Sequence, residues 1–390
     1  MSNRPQYLRR TRQQWINIAL QVLLAIIVVG LIYGAAVNAS NNLAKANIAS
    51  GFRFWNNTAG FDISQALIDY SSSTSTFGRA IWVGLLNTLL VASLGIVLAT
   101  ALGFTIGIAR LSRNRLVSHL AGGYVELVRN VPLLLQILFW YNAVLKSLPD
   151  LRGSIALPGG AYLNNRGLFF PQPQFGTNFG YVVGALVIGV LATVMLHIWA
   201  RRRQDRTGEP PRTLTYAFGL IVVLPVLVFF AAGAPLSFSF PEMARFNIRG
   251  GTEILPELAA LLVALTIYTA AFIAEVVRAG VLAVPAGQIE AAQTLGLRAG
   301  GTLRLVVVPQ AMRVIVPPLT SQYLNLIKNS SLAVAIGYPD LVQVFAGSVL
   351  NITGQAVEVI AITMAVYLFI SLGTSLLMNL YGRIVAGVER

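Results

Sequence analysis

Apolar residues in this chain gather into long runs, separated by short breaks rich in arginine or in Gly and Pro. Eight runs are long enough, at about 1.5 Å per helical residue, to cross a hydrocarbon layer of about 30 Å: roughly 15–37, 82–109, 124–147, 179–200, 213–233, 254–277, 305–327 and 357–381. The pattern predicts an all-α integral membrane protein of about eight transmembrane helices. One stretch departs from it. Residues 287–311, GQIEAAQTLGLRAGGTLRLVVVPQA, begin with a half-polar segment broken by Gly296, Gly300 and Gly301. From Pro285 to Leu295 a helix would be about 15 Å long, roughly half a bilayer core, so it cannot span.

Pro285 suits a helix start, Glu290-Ala291-Ala292-Gln293 favours helix, and Gly296 suits a left-handed stop. The expectation is a short rod along the membrane surface, followed by a second turn and helix leading into the seventh span. Small residues at 291 and 292 admit close approach of a partner surface, and Glu290 offers a carboxylate near the positive end of the rod. The other reading is an amphipathic connector resting in the headgroups. Such helices carry a bulky apolar face opposite Lys or Arg, whereas 286–294 is mainly Ala, Gln and Gly with Ile289 alone. Two sizeable loops, 38–78 and 148–178, are rich in Asn, Gly, Pro and aromatic residues and show no period; they read as ordered or docking loops. The link RRRQDRTGEPPR at 201–212 joins two spans into a self-contained hairpin.

Composition agrees with the pattern: 390 residues, 56% hydrophobic and 11% charged, with a mean hydropathy of +0.70. The net charge of +14 does not point to nucleic acid, because the arginines punctuate the apolar runs instead of clustering on a soluble face. It sorts the loops. One side holds 19 of the 28 Lys and Arg, among them Arg4, Arg9, Arg10, Arg12, Arg110, Arg113, Arg115, Arg201, Arg212, Arg298, Arg304, Arg383 and Arg390. The other holds 9, including Lys45, Arg53, Arg79, Lys146, Arg245 and Lys328. Positive charge favours the cytoplasm, so both termini are expected there. The first apolar run, from about Ile16 to Val37, exceeds the roughly 7–15 residues of a signal h-region and is expected to be retained, despite the small-residue string AAVNAS at 35–40.

Several chemistries are excluded. There is no cysteine, and the two histidines, His119 and His197, lie far apart, so no metal site is expected. His197 reads as an interfacial residue beside Trp199 and the arginine run. A phosphate-binding loop needs lysine after glycine, but the three lysines follow Ala44, Leu145 and Ile327. VASLG at 91–95 and FISLG at 369–373 lack the first glycine of a nucleophile elbow. The charged residues Glu126, Arg129, Glu257, Glu275, Arg278, Arg313, Lys328 and Glu358 all fall near span ends, where snorkelling is cheap. No catalytic cluster emerges. A carrier driven by an ion gradient remains the alternative to one driven by ATP bound elsewhere, since sodium sites can be built from carbonyls and hydroxyls.

Glu290-Ala291-Ala292, Gly296, Val306, Val308 and Pro309 resemble the EAA loop of ABC importer permeases, with Val at both aliphatic positions where Ile and Leu recur. The segments 84–114, YVELVRNVPLLLQ at 124–136, FIAEVVRAGVLAVPAGQIEAAQTLGL at 272–297 and PPLTSQYLNLIKNSSLAVAIGYPDL at 317–341 are similar to the polar amino-acid permease family. The resemblance covers about 79–148 and 254–390. It implies a type I ABC importer fold with a five-helix core formed by the second, third, sixth, seventh and eighth spans. The extra first span, with the tail and loop at 1–78, and an insertion at 149–253 carrying the hairpin resemble the longer permeases of general amino-acid importers. It also implies partners: two ATP-binding subunits that hold ATP and Mg, a second permease subunit expected to be a related chain, and an extracytoplasmic amino-acid-binding protein. The chain itself would bind no cofactor, lie in a bacterial inner membrane and pass force through 285–304 to switch the core between inward and outward openings.

Two departures bear on substrate. Tyr268-Thr269 stands where the family often has Asn-Ser, and Lys328-Asn329-Ser330-Ser331 where it often has Lys-Asp-Thr-Ser. The missing carboxylate beside Lys328 favours neutral or acidic amino acids over basic ones; simple helix capping is the competing role. Polar residues on core spans, Asn87, Thr88, Gln136, Tyr268, Thr269, Gln322 and Asn325, are the candidate pathway lining, each with an interhelical hydrogen bond as its alternative use. Pro317-Pro318 is expected to interrupt the seventh span and free carbonyls at a pocket wall.

Overall fold

The computed structural model describes residues 12–45, 51–208, 213–244 and 247–386. The tail containing Arg4, Arg9 and Arg10, together with Arg212, Arg245 and Arg390, lies outside them. The main helices are α1 Arg12–Lys45, α2 Phe77–Arg110, α3 Arg115–Asn130, α4 Leu133–Leu145, α5 Phe179–Thr207, α6 Thr215–Ala231, α7 Pro256–Leu282, α8 Ala286–Thr294, α9 Ala299–Ile336 and α10 Ala356–Ala386, with a further short helix over 341–353 between the last two. Among the described residues six helices are long and apolar enough to cross a membrane, and α6 is a shorter apolar helix.

The single span expected at 124–147 is instead the pair α3 and α4, bent by 101°. Pro132 lacks the N–H that would continue the helix, and Val131 before it is extended, at φ −97° and ψ 125°. The Gln136 side chain closes the corner, donating from Nε2 to the carbonyls of Val128 and Val131 at 3.0 Å each. Counted as one span, the pair brings the total to seven.

The chain divides into two compact units. The first, Met1–Ile137 with Leu261–Arg390, is built on close helix contacts. A Cβ on Gly103 would stand 2.6 Å from the Ile273 Cβ, and one on Gly107 would stand 2.8 Å from the Ala274 carbonyl oxygen, so α2 and α7 approach backbone to backbone. Lipid offers apolar groups no gain from burial, so intimate packing is what holds such helices together. Gly95 receives Leu326 of α9, and Gly280 of α7 receives Ile315. Replacing Gly103 by Leu is expected to destabilise the protein by about 1–3 kcal/mol through overpacking. Gly122→Leu, with open space around it, is expected to leave the detergent melting temperature unchanged.

The loop at 51–76 lies folded against this unit. Phe54 and Ala59 are buried with Phe77, Phe345, Val349 and Val359, and the Phe54 and Phe77 rings meet at 6.0 Å, edge to face. The Gly51 N–H donates to Glu358 Oε1 at 2.6 Å. The Tyr70 hydroxyl donates to the Phe61 carbonyl at 2.7 Å, and burial, with Asp62 nearby, pushes its pKa up and keeps the donor protonated. A 3₁₀ turn and irregular chain carry these contacts, which is why no period marks the segment.

The second unit, Leu138–Ala260, spans the region where the sequence places an insertion at 149–253. In it α5 packs on α6 so tightly that a Cβ on Gly189 would collide with the Leu220 carbonyl. The chain is helical as expected, and in this unit eight short strands accompany the helices: β1 Ile155–Leu157, β2 Ala161–Asn164, β3 Gly167–Phe170, β4 Gln172–Phe175, β5 Leu236–Ser239, β6 Glu242–Met243, β7 Ile248–Arg249 and β8 Thr252–Ile254. They form an antiparallel sheet in the order β1-β2-β3-β8 and the pairs β4-β5 and β6-β7. Leu168 pairs with Ile254 across β3 and β8, and Leu151, Phe169 and Ile248 supply a small core. Strands of two to four residues are too short to display an alternating pattern.

Candidate functional site

Helix α8 is the rod anticipated from the sequence. Pro285, extended at φ −60° and ψ 137°, precedes it, and the Gln288 N–H donates to the Pro285 carbonyl at 3.0 Å. Its nine residues give a length of about 14 Å. The helix ends in a Schellman motif: the Leu297 N–H donates to Ala292 O at 3.1 Å and the Gly296 N–H to Gln293 O at 2.9 Å. That closure requires a left-handed residue, and Gly296 sits at φ +79° with nothing within 4 Å of a hypothetical Cβ.

The rod has two faces. Ala292 is buried, and Ile289 packs on the core cluster that includes Val284, Val307 and Ala311. Gln288, Glu290, Ala291, Gln293 and Leu295 are exposed. Leu295 is 83% exposed, the highest of any large apolar residue among the described ones. An apolar side chain held outward on a rigid turn at a polar surface suits a socket on another protein. Pro309, half-buried, belongs to α9, which leads away from the rod. Leu295→Asp is expected to lower recovery of any co-purifying partner at least tenfold, scored on gels of the affinity-purified complex, while the mutant chain still inserts.

The ends of α2 and α7 next to the rod are tied by charge. The Glu275 carboxylate accepts from Arg110 Nη1 and from Arg278 Nη2 at 2.6 Å and Nε at 3.2 Å. Their side chains keep 17% (Arg110), 29% (Glu275) and 33% (Arg278) of their exposure, so the network is only partly screened by solvent. The sequence marked Glu275 and Arg278 as separate charges near span ends; their convergence with Arg110, 165 residues before Glu275, is a property of the fold. Among the described residues no cluster of three or more His, Asp or Glu could hold a metal ion.

The seven candidate pathway residues occupy several places. Asn87 and Thr88 are fully buried. The Asn87 amide donates to Gln65 O and Pro339 O at 2.8 Å each, and Thr88 Oγ1 accepts from the Leu341 N–H at 3.0 Å. The pair therefore pins the 51–76 loop, the irregular segment 338–340 and the start of the helix that follows it onto α2. Gln136 closes the corner between α3 and α4. The Tyr268 ring packs against Phe272, tilted by 52° with centroids 4.9 Å apart, and the Phe272 ring also meets the Arg129 guanidinium at 4.9 Å; Thr269 beside Tyr268 is buried. On α9, Gln322 is half-buried and Asn325 exposed.

Pro317 and Pro318 do not interrupt the seventh span: the helix runs through them. Val316 and Leu319 on either side are buried and hold the segment by packing. Pro317 does wall a cavity of about 580 Å³, shared with Arg313, Thr320, Asn379 and Arg383 and lined by none of the seven candidates. Asn87→Ala is expected to strand two carbonyls, at a cost of about 1–3 kcal/mol each. The readout is a lower melting temperature and faster proteolysis within 51–76.

Residues 185–388 match the family model described as the inner membrane component of binding-protein-dependent transport systems. The general L-amino acid transport system permease protein AapQ of Rhizobium johnstonii is 53% identical over 374 residues, 96% of this chain and 93% of that protein. The putative amino-acid ABC transporter permease protein YhdX of Escherichia coli is 53% identical over 370 residues, 95% and 94% of the two chains. The glutamate/glutamine/aspartate/asparagine transport system permease protein BztB of Rhodobacter capsulatus is 41% identical over 411 residues, 97% and 95% of the two.

Proposed function

Because the chain belongs to the inner-membrane components of binding-protein-dependent transport systems, within the amino-acid ABC permeases, we propose that it carries polar, neutral or acidic L-amino acids inward, moved by ATP hydrolysed in a separate subunit. A permease of this family is the multi-pass, non-catalytic part of an importer with the type I fold. The observation that carries the coupling assignment is the outward face of α8, with Glu290, Ala291 and an 83% exposed Leu295 on a rod whose other face is locked into the core. A groove on the ATP-binding subunit covers that face. ATP and Mg reside in that subunit, and two such subunits each need a rod, so two permease subunits are required. The second permease is taken to be a related chain, and an extracytoplasmic binding protein delivers the amino acid.

The arginine distribution supports an inner-face location for α8 and for both termini. Closure of the ATP-binding subunits moves α8 as a unit. Its inner face is packed on Val307 and Ala311, and Arg110–Glu275–Arg278 ties α7 to α2, so displacement of the rod reaches three core helices together. Alternating access follows. At residues 328–331 no carboxylate stands beside the exposed Lys328, while the Ser330 and Ser331 hydroxyls cap the helix through Ile327 O and Lys328 O. That local positive charge supports neutral or acidic substrates over arginine and lysine. The test is uptake by the complex reconstituted with its native partners, across an amino-acid panel. ATP-dependent glutamate or glutamine uptake exceeding arginine uptake is expected; preference for arginine would overturn the substrate class, and uptake following an ion gradient without ATP would overturn the coupling.

A further inference from the structure

Within the first unit, the inner ends of α2, α7 and α9 enclose a second cavity of about 580 Å³. Phe104, Ile108, Val277, Val281, Val307 and Met312 are among its walls, and Ser112 is its one polar lining residue. A space of this size and character in a protein is filled by an apolar group, since water gains too few hydrogen bonds there. Its edge is open to the apolar surroundings of the helices: Ile108 is 60% exposed and Leu303 53%.

The rim carries charge of one sign. Arg113, in the turn after α2, and Arg115, the first residue of α3, lie in the chain between the lining residues Ser112 and Val117, and Arg304 follows the lining residue Leu303; all three are exposed. Among the described residues none of the three is in an ion pair, and the Glu275 carboxylate is taken by Arg110 and Arg278. An apolar slot whose lining residues are flanked in the chain by three exposed arginines outside any ion pair, at the ends of membrane-length helices, matches a ligand with a hydrocarbon tail and an anionic head.

We propose that this cavity is the acyl-chain site of an anionic phospholipid from the leaflet adjoining α8, with its phosphate held by Arg113, Arg115 and Arg304. The walls include Val277 and Val281, just before the rod, and Val307 and Met312, just after it. The lipid is thus a wedge between α2 and the two segments that carry α8.

The test is native mass spectrometry of the whole assembled complex after exchange into mixed phosphatidylglycerol and phosphatidylcholine, followed by stepwise delipidation. The wild type is expected to retain phosphatidylglycerol after phosphatidylcholine is gone. Arg113→Gln with Arg115→Gln is expected to lower that retention about tenfold or more, since each arginine near a lipid surface contributes roughly fivefold. Ala109→Trp, which fills the slot from α2, is expected to abolish it. Equal retention of the two lipids by the wild type would overturn the proposal without reference to any variant, as would undiminished retention in Ala109→Trp. The chain has no cysteine, so a single Cys at Leu303 adds a third readout: a cross-link from it to the second permease subunit would assign the cavity to a protein occupant and likewise overturn the lipid.

Discussion

Replacing Gly296 by Val is expected to abolish substrate-stimulated ATP hydrolysis and uptake while leaving the chain inserted and recoverable from the membrane. The residue ends α8 at φ +79°, a region that costs non-glycine residues about 1–3 kcal/mol and β-branched ones more. Space is not the obstacle, because nothing lies within 4 Å of the Cβ position. The backbone is. To relieve the strain the chain would give up the Leu297-to-Ala292 and Gly296-to-Gln293 hydrogen bonds, and with them the fixed angle between α8 and α9. The rod would fray into a tether that bends without pushing. Gly296→Asn, which tolerates the left-handed region, is expected to keep a substantial part of the activity. Parallel measurement of membrane insertion, basal ATPase and stimulated ATPase separates loss of coupling from loss of the protein.

Glu275→Ala is expected to uncouple the complex in a different manner: basal ATP hydrolysis persists while uptake falls at least tenfold. Removal of the carboxylate leaves Arg110 and Arg278 facing each other without a partner. For a fully buried network that would cost several kcal/mol; with these side chains 17–33% exposed the loss is on the order of 2 kcal/mol. It is concentrated where α2 meets α7, next to the Gly107 contact with Ala274, so the rod would move α7 without carrying α2. Glu275→Gln keeps an acceptor for one guanidinium and is expected to fall between the wild type and the alanine variant. High salt is expected to mimic the variant weakly, because the network is partly open to solvent.

The short helix α8 was legible because its signals are local: a proline at the start, small helix formers, and a glycine where the turn must be left-handed. Positions 285, 290–293 and 296 sit within one short stretch and need no knowledge of the rest of the chain. The clamp was not, since Arg110 and Glu275 come together only through the packing of α2 on α7. The same limit applies to Asn87 and Thr88. A polar residue on an apolar helix reads equally as a substrate contact or as a structural hydrogen bond, and their partners at Gln65, Pro339 and Leu341 lie in irregular chain or at the very start of a helix, where no period marks them. At 124–147 the apolar run was long enough for one span, but Pro132 turns it through 101°; hydropathy measures length and greasiness, not direction. The strands of the second unit were hidden by brevity, and Pro317-Pro318 misled in the opposite sense, since packing by Val316 and Leu319 preserves a helix that two missing N–H groups would otherwise break.

Coupling through α8 requires that this helix meet an ATP-binding subunit at the inner face of the membrane. A single cysteine introduced at Leu295 in this otherwise cysteine-free chain tests it directly, by cross-linking in membranes that contain the assembled transporter and by labelling with a membrane-impermeant maleimide. The expected result is a cross-link to the ATP-binding subunit and no labelling from outside intact cells. Labelling from outside, or a Leu295→Cys side chain that cross-links to no other chain in the assembled complex, would contradict it.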